Sequence, residues 1–299
     1  MAKFAKNIDV QAVATKQAAN IMKQLQGKHL ASVGTVRNYE ERLTIVAKYA
    51  NATFHCGLRT LTVAQAHQYL NDRATEIGQK TLDMERQAIQ FMMQHLTGQL
   101  GKEEKLTVIK SEHQQILQSR AYTPEQAQMI AEAQTERNAL STEIAHAAGL
   151  RAHELHTLQR LHERTADPRP ALNEKFTGRA GERYTVEGKG GLIREVLIPY
   201  SLAERLESRR LETPLQIVDR GVNYTSYYDI NGGNRWSSSF TTASNRTLNW
   251  SAGAHGLRHS YAQERMNELQ KTMLYENALT VVSQEMGHFR PEITEVYLR

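Results

Sequence analysis

Near one end of the chain runs Gln284-Glu285-Met286-Gly287-His288-Phe289-Arg290-Pro291-Glu292-Ile293-Thr294-Glu295-Val296-Tyr297. Leu279, Val282 and Met286 recur at helical steps, and Gly287 stops that helix. A short helix over Glu292 to Tyr297 is predicted next. Upstream, Ala254-His255-Gly256-Leu257-Arg258-His259-Ser260 opens another helix, defined by Leu257, Tyr261, Ala262 and Leu269. The two stretches carry His255, Arg258, His288 and Tyr297. These residue types hold anions and move protons, so the rest of the chain is read for the remaining parts of such a site.

The composition allows two ordinary domains. There are 299 residues, 40% hydrophobic and 23% charged, with a formal net charge of +5. No apolar run reaches the roughly 18 residues of a membrane helix. No apolar core with a small-residue cleavage site opens the chain, so a cytoplasmic protein is expected. Cys56 is the single cysteine, which excludes an internal disulfide and an all-cysteine zinc site. Most of the net positive charge falls before Leu30, where Lys3, Lys6, Lys16, Lys23 and Lys28 face only Asp9. A basic arm over residues 1–30 suits phosphate contacts, and equally suits a solvated helix end.

Asp9 to Gln26 lacks glycine and proline and is predicted helical. Thr35 is a candidate cap for a helix with Val36, Tyr39, Leu43, Val46 and Ala50 on one face. Thr62 and Gln65 form a capping box ahead of Ala66, Tyr69 and Leu70. Leu82, Ile89, Met92, Met93 and Leu96 share a further face, read as core. Residues 31–100 therefore read as a helical domain and 101–121 as a linker. A second domain over 122–299 opens at Thr123-Pro124-Glu125-Gln126, an N-cap with proline at the first helical position. A helix from Arg137 ends at Gly149, and Asp167 to Gly181 is predicted loop. Arg183 to Glu187 and Arg194 to Ile198 flank Gly188-Lys189-Gly190-Gly191 as a β-hairpin. Ser201 to Leu211 is predicted helical. Thr213 to Ser251 is hard to read; Tyr224, Tyr227, Tyr228, Trp236, Phe240 and Trp250 there are expected to pack rather than bind.

In chain order stand Gly149-Leu150-Arg151-x-x-Glu154-Leu155, the Gly188 to Gly191 turn with Lys189 and then Arg194, His255-x-x-Arg258, Gly287-His288, and Tyr297 nine residues after His288. This series resembles the motifs of the tyrosine recombinase (phage integrase) family. The resemblance covers Thr123 to Tyr297 well. It covers Ser32 to Gly98 loosely, where the chain is similar to the family's core-binding domain. It implies a mainly α fold with a small β-sheet, built as a two-domain C-shaped clamp of a helical core-binding domain and a tyrosine recombinase catalytic domain. Only Leu298 and Arg299 follow Tyr297, whereas many members of the family carry a further helix that docks on a neighbouring subunit. Subunit coupling by another route and a longer natural chain both stay open.

The resemblance also implies a chemistry that suits these residue types. A DNA phosphodiester is anionic and has a poor leaving group, so its oxygens need fixed positive charge and the leaving oxygen needs a proton. Arg151 and Arg258 are assigned to the non-bridging oxygens, since guanidinium is a planar fork that stays charged. Lys189 is the expected general acid and Tyr297 the nucleophile. His255 accepts its proton or binds phosphate, His288 positions the phosphate, and Glu154 orients its neighbours. The expected product is a 3′-phosphotyrosyl ester, formed without metal, ATP or other cofactor. Expected partners are duplex DNA with a specific recombination site, a homo-tetramer on synapsed DNA, and accessory directionality or DNA-bending proteins. Lys3, Lys6, Arg37, Lys80, Arg86 and Arg194 are the expected DNA contacts. A tyrosine topoisomerase and a non-catalytic DNA-binding regulator are the alternatives. Metal binding by His255, His259 and His288 is disfavoured because no His-Glu-x-x-His is present. His146, His153, His156 and His162 read as ordinary, partly exposed histidines.

Overall fold

The computed structural model describes residues 9–30, 33–114, 118–169 and 171–299. Lys3 and Lys6 lie outside the described residues. The chain divides into two compact units, Met1–Ile116 and Leu117–Arg299.

The first unit is helical: α1 (Val10–Leu25), α2 (Val33–Phe54), α3 (Val63–Ala74) and α4 (Gln79–Met92). Helical periodicity explains its core. Ile21, Met22 and Leu25 of α1 meet Leu43, Val46 and Ala50 of α2 and Leu70, Ile89 and Met92 beyond them. The Thr62–Gln65 capping box forms as the sequence predicts, on α3. Thr35 does not cap a helix: α2 begins at Val33 and already includes it. The Met-rich stripe continues as a π-turn over Met93–Thr97 and stops at Gly98 in left-handed geometry (φ 67°). Glu85 is the one fully buried carboxylate among the described residues of this unit, and it accepts from Tyr69 (2.7 Å) and from both Nε and Nη2 of Arg73 (3.2 Å each). Part of the expected linker belongs to this unit. Leu106 is buried, and the Gln79 amide brackets the backbone, donating to Ile109 O (3.1 Å) and accepting from Ser111 N (2.9 Å).

The second unit starts with α5 (Pro124–Glu132), capped by Thr123 with Gln126, and α6 (Glu136–Ala148). A three-stranded antiparallel sheet follows, β1 (Gln159–Arg160), β2 (Glu182–Glu187) and β3 (Ile193–Ile198), in the order β1-β2-β3. The predicted hairpin is β2–β3, with Val186 opposite Arg194. The two-residue β1 is too short to show a period in the sequence. Next come α7 (Tyr200–Glu207), a second hairpin of β4 (Arg210–Asp219) and β5 (Val222–Tyr228), and α8 (Gly233–Leu248). The helix predicted to Leu211 thus ends at Glu207. Thr213 to Ser251 resolves into most of a hairpin and a helix. Its strands lacked a clean alternation because β4 is solvated on both faces for much of its length. Trp236, Phe240 and Tyr228 are buried, and Trp250 stacks on Tyr122 at 5.0 Å, so those four aromatics do pack. The unit closes with α9 (Gly256–Leu269), α10 (Tyr275–Glu285), α11 (Pro291–Thr294) and a 3₁₀ turn over Glu295–Tyr297.

One charged network ties this end of the unit together. Arg265 on α9 and Glu285 on α10 are both buried, and Arg265 Nε and Nη2 reach the carboxylate at 3.0–3.2 Å. Tyr261 donates to Glu285 Oε2 (2.8 Å), and the Phe176 amide donates to Oε1 (2.7 Å), which pins the 167–181 loop to α10. Removing one partner strands the other charge away from water. Glu285→Ala is therefore expected to cost the second unit about 3–5 kcal/mol. Urea unfolding followed by tryptophan fluorescence checks this, because both tryptophans, Trp236 and Trp250, lie in that unit.

Candidate active site

Gly149 ends α6 in left-handed geometry (φ 61°), and a side chain there would strike the Tyr261 ring at 2.8 Å. The chain then turns sharply. The Glu154 amide donates to Arg151 O (3.0 Å), while Glu154 Oε2 accepts from the Arg151 amide (2.7 Å) and Oε1 from Arg151 Nη1 (2.7 Å). Glu154 is fully buried. Arg194 Nη2 reaches its Oε2 at 2.8 Å and Arg258 Nη1 at 3.9 Å. Burial opposes the charge on this carboxyl, but Arg194, Arg258 and Arg151 outweigh it and hold the group well below the usual carboxylate range.

Arg258 is buried on α9 and is committed to the backbone on two sides. Its Nη1 donates to Gly149 O, and its Nη2 donates to Met286 O (3.1 Å). Burial and the neighbouring Arg151 lower its pKa to about 10, which leaves it charged at pH 7. Its Nε–H is buried with no acceptor among the described residues. Arg258 Nη2 also lies 3.0 Å from His288 Nε2, and His288 Nδ1 lies 2.9 Å from Thr294 Oγ1. Desolvation, Arg258 and Arg151 push His288 down to about 3, so the ring is neutral at pH 7.

Tyr297 is enclosed by these groups. Its hydroxyl is 3.1 Å from His255 Nε2, and its ring sits 4.7 Å from that of His259, 5.0 Å from that of His288 and 5.6 Å from the Arg258 guanidinium. Gln263 on α9 holds the turn by donating to Tyr297 O (3.2 Å). His255 is lowered to about 3 by desolvation, Arg258 and His259. His255 is exposed, so water screens part of that field; the consequence is a neutral imidazole beside the tyrosine hydroxyl. His259, buried, falls to about 4, through desolvation and Arg120.

Lys189 stands exposed in the β2–β3 turn, with no ion-pair partner among the described residues. The base of that turn adjoins the cluster: a Cβ on Gly188 would sit 3.2 Å from Glu154 Oε1 and 3.7 Å from Arg151 Nη1. Arg151, Glu154, Arg258, His288, His255 and Tyr297 are therefore brought together, with the Lys189 loop at their edge. Arg194 is a correction. Expected to face DNA, it is buried, and it holds Glu154 and the Glu285 carbonyl (2.6 Å). Strand parity would have found this, since Arg194 shares its face of β3 with buried Val196 and Ile198. Arg86 is also mostly turned inward, onto Gln90 and Leu106 O, whereas Arg37 and Lys80 are exposed and Arg37 pairs with Glu41. His156 is buried against Tyr224 rather than partly exposed. Thr294 carried no sequence signal of its own, and His259 stood in the sequence only as a disfavoured metal ligand. Among the described residues no group of three or more His, Cys, Asp or Glu is placed to hold a metal.

Neither a protein-family model nor a curated protein sequence matches the chain. Solved structures do. The XerH site-specific recombinase bound to difH substrate, in its pre-cleavage complex, is 16% identical with a TM-score of 0.54, over 97% of this chain and 92% of that one. The Tn1549 transposon integrase in complex with a circular intermediate DNA is 12% identical with a TM-score of 0.54, over 96% and 95%. The lambda integrase tetramer bound to a Holliday junction is 14% identical with a TM-score of 0.58, over 99% and 82%. The likeness is one of architecture: the chain has the tyrosine recombinase fold.

Neutral histidines in one site make stability depend on pH. The folded pKa values of His288, about 3, and His259, about 4, lie below the unfolded value near 6.5, and exposed His255 adds a smaller, water-screened part in the same direction. The unfolded chain thus binds more protons, so stability is full above about pH 6.5 and falls as the pH drops. The unfolding midpoint of the second unit is expected to fall between about pH 7 and pH 5, before carboxylates titrate. His259→Asn should make that slope shallower by about one proton.

Proposed function

We propose that the chain is a site-specific DNA recombinase that cuts and rejoins DNA through a covalent 3′-phosphotyrosyl intermediate. One observation carries this reading. A tyrosine hydroxyl lies 3.1 Å from a neutral imidazole and its ring lies against a buried arginine, in a cluster with a second arginine and two further histidines. A tyrosine hydroxyl has an ordinary pKa of about 10, so attack needs an acceptor for its proton. His255 is that acceptor. In the DNA-free protein desolvation, and after it the Arg258 field, makes it a weak base; an arriving phosphate offsets the Arg258 part and raises its basicity.

Arg151 and Arg258 neutralise the two non-bridging oxygens, and the unpartnered Nε–H of Arg258 is a donor available to one of them. The Tyr297 ring lies over that guanidinium, so phosphate entry requires the ring to swing aside. Lys189, on a turn with Gly190 and Gly191 at positive φ, protonates the leaving 5′ oxygen. The tyrosyl ester conserves the bond energy, so a 5′ hydroxyl from another strand reverses the attack. The arginines and lysine supply the charge that a metal would otherwise bring. By analogy with the lambda integrase tetramer on a Holliday junction and the Tn1549 transposon integrase, the chain acts as a tetramer on duplex DNA in the exchange of a mobile element. Exposed Arg37 and Lys80 contribute phosphate contacts from the first unit, and accessory DNA-bending or directionality proteins assist.

The test uses a pool of nicked duplexes with a randomised core, designed so that cleavage releases a short fragment and cannot reverse. With EDTA present, the wild type is expected to form a covalent protein–DNA adduct on a denaturing gel, and Tyr297→Phe none. An adduct in both proteins would mean another nucleophile. Tight binding without an adduct in either would favour a DNA-binding regulator. Arg258→Lys is expected to slow adduct formation about 10²- to 10³-fold, since lysine lacks the fork. Sequencing the captured DNA gives the site, and two marked duplexes bearing it then separate strand exchange from simple resealing.

A further inference from the structure

The Thr294 hydroxyl has a partner that sequence reasoning did not give it. Thr294 is fully buried, and it is the one buried residue of α11. Its Oγ1 lies 2.9 Å from His288 Nδ1, while His288 Nε2 lies 3.0 Å from Arg258 Nη2. A guanidinium nitrogen can only donate. His288 Nε2 must therefore carry the lone pair, the ring proton must sit on Nδ1, and Thr294 must accept it. The tautomer follows from the partners at the two ends of the ring.

We propose that Thr294 is a positioning residue that partners His288 Nδ1 in either tautomer, and so lets His288 pass from offering a lone pair to Arg258 to offering a proton to the phosphate beside it. In the free protein the Nδ1–H form suits Arg258. A phosphate oxygen between Arg258 and His288 would meet the Nε2 lone pair and be repelled. The Nε2–H form suits the phosphate and leaves Nδ1 needing a donor. The exchange takes one proton off Nδ1 and places one on Nε2, so the ring stays neutral. A hydroxyl serves both forms, because it accepts in one and donates in the other. Valine has the same shape and can do neither. The phosphate part of this inference rests on the proposed recombinase function; the tautomer part does not.

Two measurements on the full chain keep these parts separate. The first needs no DNA: nitrogen-15 spectra of the histidine side chains in wild type, Thr294→Val and Thr294→Ser, with His288 assigned from His288→Gln. The wild type and Thr294→Ser should show His288 as the Nδ1–H form. Thr294→Val should weaken that preference by about tenfold, as a buried N–H loses its acceptor. An Nε2–H ring in the wild type, or an unchanged ring in Thr294→Val, overturns the proposal. The second is the rate of adduct formation on the nicked-duplex pool. Thr294→Val should be about 10- to 100-fold slower, with Thr294→Ser within about threefold of wild type. If the wild type forms adducts and Thr294→Val matches its rate, the link to phosphate fails while the recombinase reading stands. If the wild type forms none, the recombinase reading and the phosphate link fail together, and the spectra alone decide the tautomer.

Discussion

The second unit depends on one carboxylate. Glu154 is fully buried and takes Arg151 at 2.7 Å and Arg194 at 2.8 Å, with Arg258 at 3.9 Å. Three guanidinium groups in one poorly solvated place would repel each other by several kcal/mol per close pair, on the order of 4 at about 4 Å. Glu154 is the counter-charge that makes the concentration tolerable, and the cluster still keeps net positive charge. The division of labour follows from exposure. Arg194 is buried and spends its hydrogen bonds on Glu154, Gly149 O and Glu285 O. Arg151 keeps its guanidinium partly open, and Arg258 keeps an Nε–H with no acceptor among the described residues.

Two glycines let the backbone come that close. Gly149 and Gly287 both have positive φ (61° and 71°), and each packs on a bulky side chain. A Cβ at Gly149 would meet the Tyr261 ring at 2.8 Å, and one at Gly287 would meet Arg194 Cδ at 2.5 Å. Each glycine therefore does two things at once. It ends a helix, α6 or α10, and it opens a slot through which a buried side chain passes. The carbonyls freed at these helix ends are what Arg258 and Arg194 bind.

The histidines acquire their state from the same arrangement. Desolvation lowers both His255 and His288, and the field of Arg258 adds to it, so both stay neutral at pH 7. Neutral imidazoles can accept as well as donate, which the proposed chemistry uses. The Arg265–Glu285–Tyr261 network braces α9 against α10 from behind. The Tyr297 turn is fastened to α9 in its turn by Gln263. Tyr297 thus rests on a helix pair whose relative position is set by buried charge.

The sequence by itself determined much of this. Helical periodicity gave α2, α3 and α4, capping chemistry gave the starts of α3 and α5, and the glycine-rich turn gave β2–β3, because these signals act over a few residues. The order of Arg151, Lys189, His255, Arg258, His288 and Tyr297 was legible too, since each sits in a short pattern. Only the tertiary structure decided how they meet. It turned Arg194 inward, made Glu154 the shared partner of three arginines, placed His259 beside Tyr297 and put Thr294 at the back of His288. It also formed β1, which pairs with β2 from across the 161–181 segment rather than by local preference. The reason is physical: a local pattern fixes which way a side chain points along its own helix or strand, whereas charge partners, tautomers and proton affinities depend on groups that folding brings from the other end of the unit.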